Sequence, residues 1–149
     1  MLEVLDKILK QKNVLISLNS LINDAKKEFK ESESLSLTKN ISLEMFPKLP
    51  SSINLCRLFI LRANTKSKIE KHINSFQRTF TYSGEGNTKI FENGKWSSNL
   101  RIDSGDSIEK RWLSVPENTW HEPISLSRDW ITITFHTASE NQIIDEYMD

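Results

Sequence analysis

The spacing of apolar residues changes once along the chain, and this change constrains the fold more than any other feature. Within residues 2–29 the apolar side chains recur every three or four positions, beginning with Leu2, Leu5, Ile8 and Leu9. This spacing is typical of an amphipathic helix. From about Leu35 onward the spacing becomes two, which is typical of half-buried strands. The sequence therefore predicts one or two helices followed by a β domain.

Six segments after Leu35 are rich in β-branched and aromatic residues: 41–43, 55–61, 76–82, 88–91, 108–115 and 130–135. Turn-forming residues separate them, and Asn93-Gly94 is the strongest hairpin signal because both residues tolerate a positive φ. Many short strands separated by turns favour an antiparallel sandwich or barrel. Residues 141–148 fit either a short helix or a closing strand. We expect a helical extension over 1–34 and a barrel over 35–149 within a single compact domain.

Composition excludes several functional classes. The chain has 149 residues, and 20 basic side chains balance 20 acidic ones, so no overall charge favours nucleic acid or an anionic membrane. The single cysteine, Cys56, cannot form an internal disulfide and is expected to be a small buried side chain. Acidic residues stand where a signal peptide would be apolar, and no apolar run is long enough to span a membrane. These features predict a cytoplasmic protein.

Two histidine-containing segments resemble the paired motifs of the cupin superfamily, G-x5-H-x-H-x3,4-E-x6-G and G-x5-P-x-G-x2-H-x3-N. In the second segment Pro116 and His121 coincide with the motif's proline and histidine, and Asn118 stands at a glycine position. Asparagine suits that position because it adopts left-handed backbone conformations more readily than most residues. In the first segment His72 matches the first histidine and Gly86 the closing glycine. The resemblance implies a mainly β fold, a jelly-roll barrel (double-stranded β-helix) preceded here by a helical segment.

Both segments depart from the cupin pattern, and the first departs from it at positions that bind metal. Asn74 replaces the second histidine, Arg78 or Thr79 replaces the glutamate, and Lys66 and Lys110 replace the two leading glycines. Neutral Asn is a poor metal ligand, and a guanidinium carries a positive charge and no lone pair. We therefore expect no metal. A bound divalent metal would use His72 and His121, with Asn74 or His136 as the third ligand.

The metal-free interpretation is a pocket for a small organic anion. On a regular strand alternate side chains share one face, so His72, Asn74, Arg78 and Tyr82 are expected to point the same way. A carboxylate or phosphate suits that face, because it combines a fixed cation with aromatic rings. The alternative is that its aromatic residues belong to the core and Arg78 reaches an edge. With His121 from the second motif, and with Tyr82 and Trp120 on the wall, these residues are predicted to form one cavity.

Two classes of function follow from the resemblance. The first is a metal-independent isomerase, epimerase or lyase of a sugar or acidic metabolite, with His72 or His121 as acid or base and Arg78 stabilising anionic charge. A metal-dependent enzyme with an atypical ligand set belongs to the same class. The second is a non-catalytic barrel that binds a ligand as a sensor. No phosphate-binding loop is present, so no nucleotide cofactor is expected. The resemblance also implies a homodimer, and the helices are expected to cover a barrel face or edge.

Overall fold

The N-terminal part of the chain forms two helices in a computed structural model that describes residues 1–149. Helix α1 spans Leu2–Leu9 and helix α2 spans Lys12–Glu31. Their buried residues, apart from Asp6, follow one apolar stripe, as the sequence predicts, although Val14 is buried in place of the expected Leu15. Neither helix is long and apolar enough to cross a membrane.

The rest of the chain is mostly strand. Ten strands follow in order: β1 (Ser36–Asn40), β2 (Leu55–Leu61), β3 (Glu70–His72), β4 (Gln77–Ser83), β5 (Glu85–Glu92), β6 (Lys95–Ile102), β7 (Trp112–Val115), β8 (His121–Ser125), β9 (Trp130–His136) and β10 (Asp145–Tyr147). A short 3-10 turn, Leu43–Met45, precedes β2, and a helical turn α3, Ile108–Arg111, precedes β7. The terminal segment is thus a closing strand, one of the two alternatives that its sequence allows.

The strands form two antiparallel sheets of five. The first sheet has the order β1-β2-β9-β4-β7, and the second has the order β10-β3-β8-β5-β6. Between β2 and β9 the chain passes from one sheet to the other several times, as in a jelly roll. The hairpin between β5 and β6 turns at Asn93 and Gly94, with φ values of 54° and 78°, which confirms the hairpin that this dipeptide predicts.

The two helices cover the outer face of the first sheet. A core of 19 buried residues joins the apolar stripe of both helices to outward-facing side chains of the strands, among them Cys56, Leu58 and Ile133. Helix α1 is also held by a buried hydrogen bond, in which the Trp112 indole N–H donates to Asp6 Oδ1 at 2.9 Å. The main apolar core therefore lies between the helices and the first sheet rather than inside the barrel.

The inner face of the first sheet is largely polar as a consequence. Strand β9 alternates strictly, with Ile131, Ile133 and Phe135 packed in the core under the helices. Thr132 and Thr134 lie between them in sequence and are also buried, but they line the space between the two sheets. A buried polar surface of this kind is a place for a ligand, because buried polar groups need partners.

Three strand predictions are wrong in detail, and one of them matters for the site. Residues 72–82 are not one strand, because β3 ends at His72 and β4 begins at Gln77 in the other sheet. Alternation therefore does not carry across this break, and His72 does not fix the direction of Arg78. Residues 108–115 combine a helical turn with the strand β7, and β1 ends at Asn40, just before the strand expected at 41–43.

Candidate functional site

A cavity of about 560 Å³ lies between the two sheets, and only 5 of its 22 lining residues are hydrophobic. All three histidines of the chain, His72, His121 and His136, line it together with Glu70 and Arg57. The apolar part of the wall includes Phe59, Leu61 and Trp130. The volume lies within the range of pockets that hold small molecules.

Three side chains in this cavity could hold a metal ion. One ligand atom from each of Glu70, His72 and His121 lies within 4.8 Å of the other two. Glu70 Oε1 is 3.9 Å from His72 Nε2 and 3.7 Å from His121 Nε2. Strand geometry explains the cluster, because Glu70 and His72 are two residues apart on β3 and Glu70 pairs directly with His121 on β8.

His121 presents a free nitrogen to this cluster. Its Nδ1–H donates to the Thr119 carbonyl oxygen at 3.0 Å, which leaves the lone pair on Nε2. Nε2 is buried and has no hydrogen-bond partner in the chain. Burial lowers the pKa of His121 to about 4, so the imidazole is neutral near neutral pH. A neutral imidazole with an unused lone pair suits a metal ion, and it is also the form that a general base requires.

His72 is held from the other side by the C-terminal strand. Its Nδ1 lies 2.6 Å from Asp145 Oδ1, and Asp145 pairs with His72 in the register of β10 and β3. The His72 ring centroid is 5.3 Å from that of His121 and 4.9 Å from that of His136. His72 is therefore the centre of the histidine cluster.

Burial also shifts the pKa values of Glu70 and His136. Burial raises the pKa of the Glu70 carboxyl group, although His72 and Arg57 oppose this shift. Burial, and then the neighbouring His72, lower the pKa of His136 to about 3. Its Nδ1 lies 3.2 Å from the Ser75 hydroxyl oxygen. His136 is therefore a neutral wall of the cavity beside the Glu70, His72 and His121 group.

The structure does not bring the other predicted ligand-binding residues into the cavity. Arg78 stacks on the Phe76 ring, with its guanidinium carbon 4.2 Å from the ring centroid. The Tyr82 hydroxyl donates to Asn19 of α2, and Trp120 packs under the Lys71 ammonium, 4.7 Å from its ring centroid.

Asn74 has a different structural task. Its side-chain amide donates to the Gln142 carbonyl at 2.8 Å and accepts from the Ile144 N–H at 2.9 Å, so it holds the C-terminal segment.

Arg78 and Tyr82 face outward for the same reason that Phe80 does: the helices cover that face of β4. Gln77 and Thr79 point inward instead, although their face looked solvent-exposed or only modestly buried from the sequence.

Arg57 is the cavity cation that the sequence analysis missed. It lies on β2 between Cys56 and Leu58, which are completely buried under the helices. Alternation therefore points Arg57 to the inner face. A basic residue inside the apolar run of residues 55–61 is the signal that could have revealed it.

Glu70 was also missed, because the first cupin motif fits the chain two residues closer to the N-terminus than the sequence alignment placed it. In that register Glu70 and His72 stand at the two histidine positions, and Gln77 stands at the glutamate position. Asn64 and Gly84 then occupy the glycine positions, and both have left-handed backbones, with φ of 56° and 85°. In the second motif Asn118 has φ of 54° at its glycine position, in agreement with the sequence argument.

Comparison with known proteins gives matches in structure alone. No protein-family model matches the sequence, and no curated protein matches it. Recombinant pro-11S globulin of pumpkin matches with a TM-score of 0.61 and 14% identity, over 78% of this chain and 29% of the globulin. An oxalate oxidase matches with a TM-score of 0.58 and 9% identity, over 76% of this chain and 56% of the oxidase.

Oxalate decarboxylase from Bacillus subtilis, which contains Mn(II) centres, matches with a TM-score of 0.54 and 11% identity. That match covers 63% of this chain and 23% of the decarboxylase. The chain thus spans between about a quarter and just over half of the length of these three proteins. Identities this low support a statement about fold alone. The two antiparallel sheets, the order of their strands and these neighbours show that the chain has a jelly-roll fold of the cupin type.

Proposed function

We propose that this chain holds one divalent transition metal ion on Glu70, His72 and His121 and binds a small organic anion beside it. One observation carries the proposal: three donor atoms lie within 4.8 Å of one another in a cavity, and one of them, His121 Nε2, is buried without a partner. An unpartnered buried nitrogen costs free energy unless something binds it. A metal ion provides that partner.

The donor set fits such an ion. Two imidazoles and a carboxylate are common ligands of Zn²⁺, Fe²⁺ and related ions. Thr119 orients His121 by accepting its Nδ1–H, as backbone carbonyls do for many metal-binding histidines. When bound, the metal would supply a Lewis acid that polarises an oxygen atom of the ligand.

Arg57 supports an anionic ligand. Its guanidinium lines the same cavity and lowers the pKa of Glu70 and His136, although burial dominates the shift at both residues. Guanidinium groups bind carboxylates through two parallel hydrogen bonds, which orients the anion as well as holding it. Arg57 thus takes the role that the sequence analysis assigned to Arg78. A small carboxylate is the substrate class that we propose.

The unpartnered His121 nitrogen also favours a second candidate function. At neutral pH His121 is in the unprotonated form that a general base requires, so it would serve as the base of a metal-independent isomerase, epimerase or lyase. In that case Arg57 would stabilise the negative charge that develops on the substrate. The two functions differ in whether the protein binds a metal at all.

A metal titration separates these two functions. Protein purified without a histidine tag and treated with a chelator is titrated with Mn²⁺, Fe²⁺ and Zn²⁺ by calorimetry, with elemental analysis after dialysis. We expect one ion per chain, and we expect Glu70→Gln and His121→Asn to lose it. Glu122→Gln is the matched control, because Glu122 lies next to His121 but on the outer face of β8. If none of the three ions binds, the proposed metal site is refuted and the metal-independent acid–base function remains.

The anion is tested by thermal shift with a panel of small carboxylates, sugar acids and phosphates. A ligand that binds the native state raises Tm in a concentration-dependent way. We expect Arg57→Gln to abolish this rise and the matched variant Arg78→Gln to keep it, because Arg78 lies outside the cavity. Equal loss in both variants, or a rise unaffected in Arg57→Gln, refutes the role of Arg57. Once a ligand is known, lost turnover with unchanged affinity in His121→Asn identifies an enzyme rather than a sensor.

A further inference from the structure

We infer that Asp145, at the C-terminal end of the chain, is a positioning residue that keeps the His72 proton on Nδ1 and so turns the Nε2 lone pair toward Glu70 and His121. The consequence for metal affinity rests on the proposed function. The assignment of the proton does not, because it follows from the contacts of the metal-free chain.

The two nitrogens of His72 have unequal partners. Nδ1 is 2.6 Å from Asp145 Oδ1, a separation typical of a strong hydrogen bond to an ionised acceptor. Nε2 is 3.9 Å from the nearest Glu70 oxygen, which is beyond hydrogen-bond distance. A neutral imidazole carries one N–H, and an ionised carboxylate can only accept. The proton therefore belongs on Nδ1, and the free lone pair on Nε2.

The fold holds Asp145 in place through the backbone. Strand β10 pairs with β3 so that Asp145 lies opposite His72. Just before Asp145, the Ile73 N–H donates to the Ile144 carbonyl at 2.9 Å, and the Asn74 side chain binds the backbone on both sides of residue 143. Asn74 thus acts on the site indirectly, by holding the segment that carries Asp145.

Removal of the Asp145 carboxylate has a specific consequence. Without an acceptor at Nδ1, nothing in this arrangement prevents the proton from moving to Nε2. An N–H at Nε2 would then face Glu70 and occupy the position from which a lone pair must bind a metal ion. Loss of a carboxylate that orients a metal-binding histidine lowers metal affinity by about 10- to 100-fold in known sites.

The first test uses the metal-free wild-type protein and needs no variant. Long-range ¹H–¹⁵N correlation spectra at about pH 8.5, above the ordinary histidine pKa, report which ring nitrogen carries the proton. Comparison with His121→Asn and His136→Asn assigns the His72 signals. We expect the Nδ1–H form in the wild type and a shift toward the Nε2–H form in Asp145→Ala. An Nε2–H signal from His72 in the wild type overturns the inference.

The second test measures metal affinity in the full chain. Asp145→Ala is compared with Glu146→Ala, which removes the neighbouring carboxylate of β10 but no contact with His72. We expect the dissociation constant of the metal to rise about 10- to 100-fold in Asp145→Ala and to change by less than about threefold in Glu146→Ala. Equal affinities in the two variants overturn the positioning role. If the wild type binds no metal, the proposed function fails, and the tautomer spectra still decide whether Asp145 positions His72.

Discussion

Acidification should destabilise the metal-free protein through two buried histidines. Burial lowers the pKa of His121 to about 4 and that of His136 to about 3. The unfolded chain has ordinary histidines with a pKa of about 6.5. Between these values the unfolded state binds protons that the native state excludes, so the free energy of unfolding falls as the pH falls. The loss begins near pH 6.5 and continues to about pH 4 for His121 and about pH 3 for His136.

The magnitude follows from these pKa values. At about pH 5 each unfolded histidine is almost fully protonated while its native counterpart is still neutral, which removes about 2 kcal/mol of stability per residue relative to about pH 7.5. The two histidines together account for about 4 kcal/mol, a large share of the 5–15 kcal/mol that is typical of a domain. Glu70 acts in the opposite direction at the acidic end, because burial raises the pKa of its carboxyl group.

Urea unfolding followed by tryptophan fluorescence between about pH 7.5 and about pH 5, with chelator present, measures this loss. His121→Asn and His136→Asn should each remove about half of the decline, because asparagine does not titrate, and the double variant should remove nearly all of it. The comparison uses the pH dependence rather than the absolute stability of each variant, so packing defects cancel. If the free energy of unfolding of the double variant falls with pH as steeply as that of the wild type, the buried histidines are not the cause and the reasoning is refuted.

Three further predictions concern the fold and its assembly. Gly86→Ala should lower the free energy of unfolding by about 1–3 kcal/mol in urea titrations, because an added Cβ would lie 2.2 Å from the Trp130 ring. Unchanged stability would show that the ring moves freely. Trp112→Phe should cost about 1–3 kcal/mol in the same assay, since it leaves the buried Asp6 carboxylate without its indole donor; a loss below that range would make the bond dispensable. The protein should form a homodimer of 17.3 kDa chains in sedimentation experiments, because the exposed edge strand β6 can pair with another copy. Leu100→Lys, at a side chain that is 55% exposed on that strand, should then shift the equilibrium toward monomer, whereas a wild-type monomer at high concentration contradicts the dimer.

Local sequence determined much of the architecture. The change of apolar spacing near residue 35 is enough to separate the helices from the β domain, because each kind of element imposes its own period on a buried face. Turn chemistry is equally local: a dipeptide such as Asn93-Gly94 specifies its hairpin without help from distant residues. The second cupin motif belongs to the same group, because Pro116, Asn118 and His121 lie within one short turn and the start of one strand.

The site depended on tertiary structure. A period of two shows which side chains of a strand share a face, but it does not show which face points inward. That choice was made by helices α1 and α2, which cover the outer face of the first sheet and leave Arg57 and Gln77 to line the cavity while Arg78 points away from it. The break between β3 and β4 likewise separated His72 from Arg78. Asp145 lies 73 residues from His72 in sequence and meets it only through the pairing of β10 with β3. No local pattern encodes such a contact, because its partners are brought together by the packing of the whole chain.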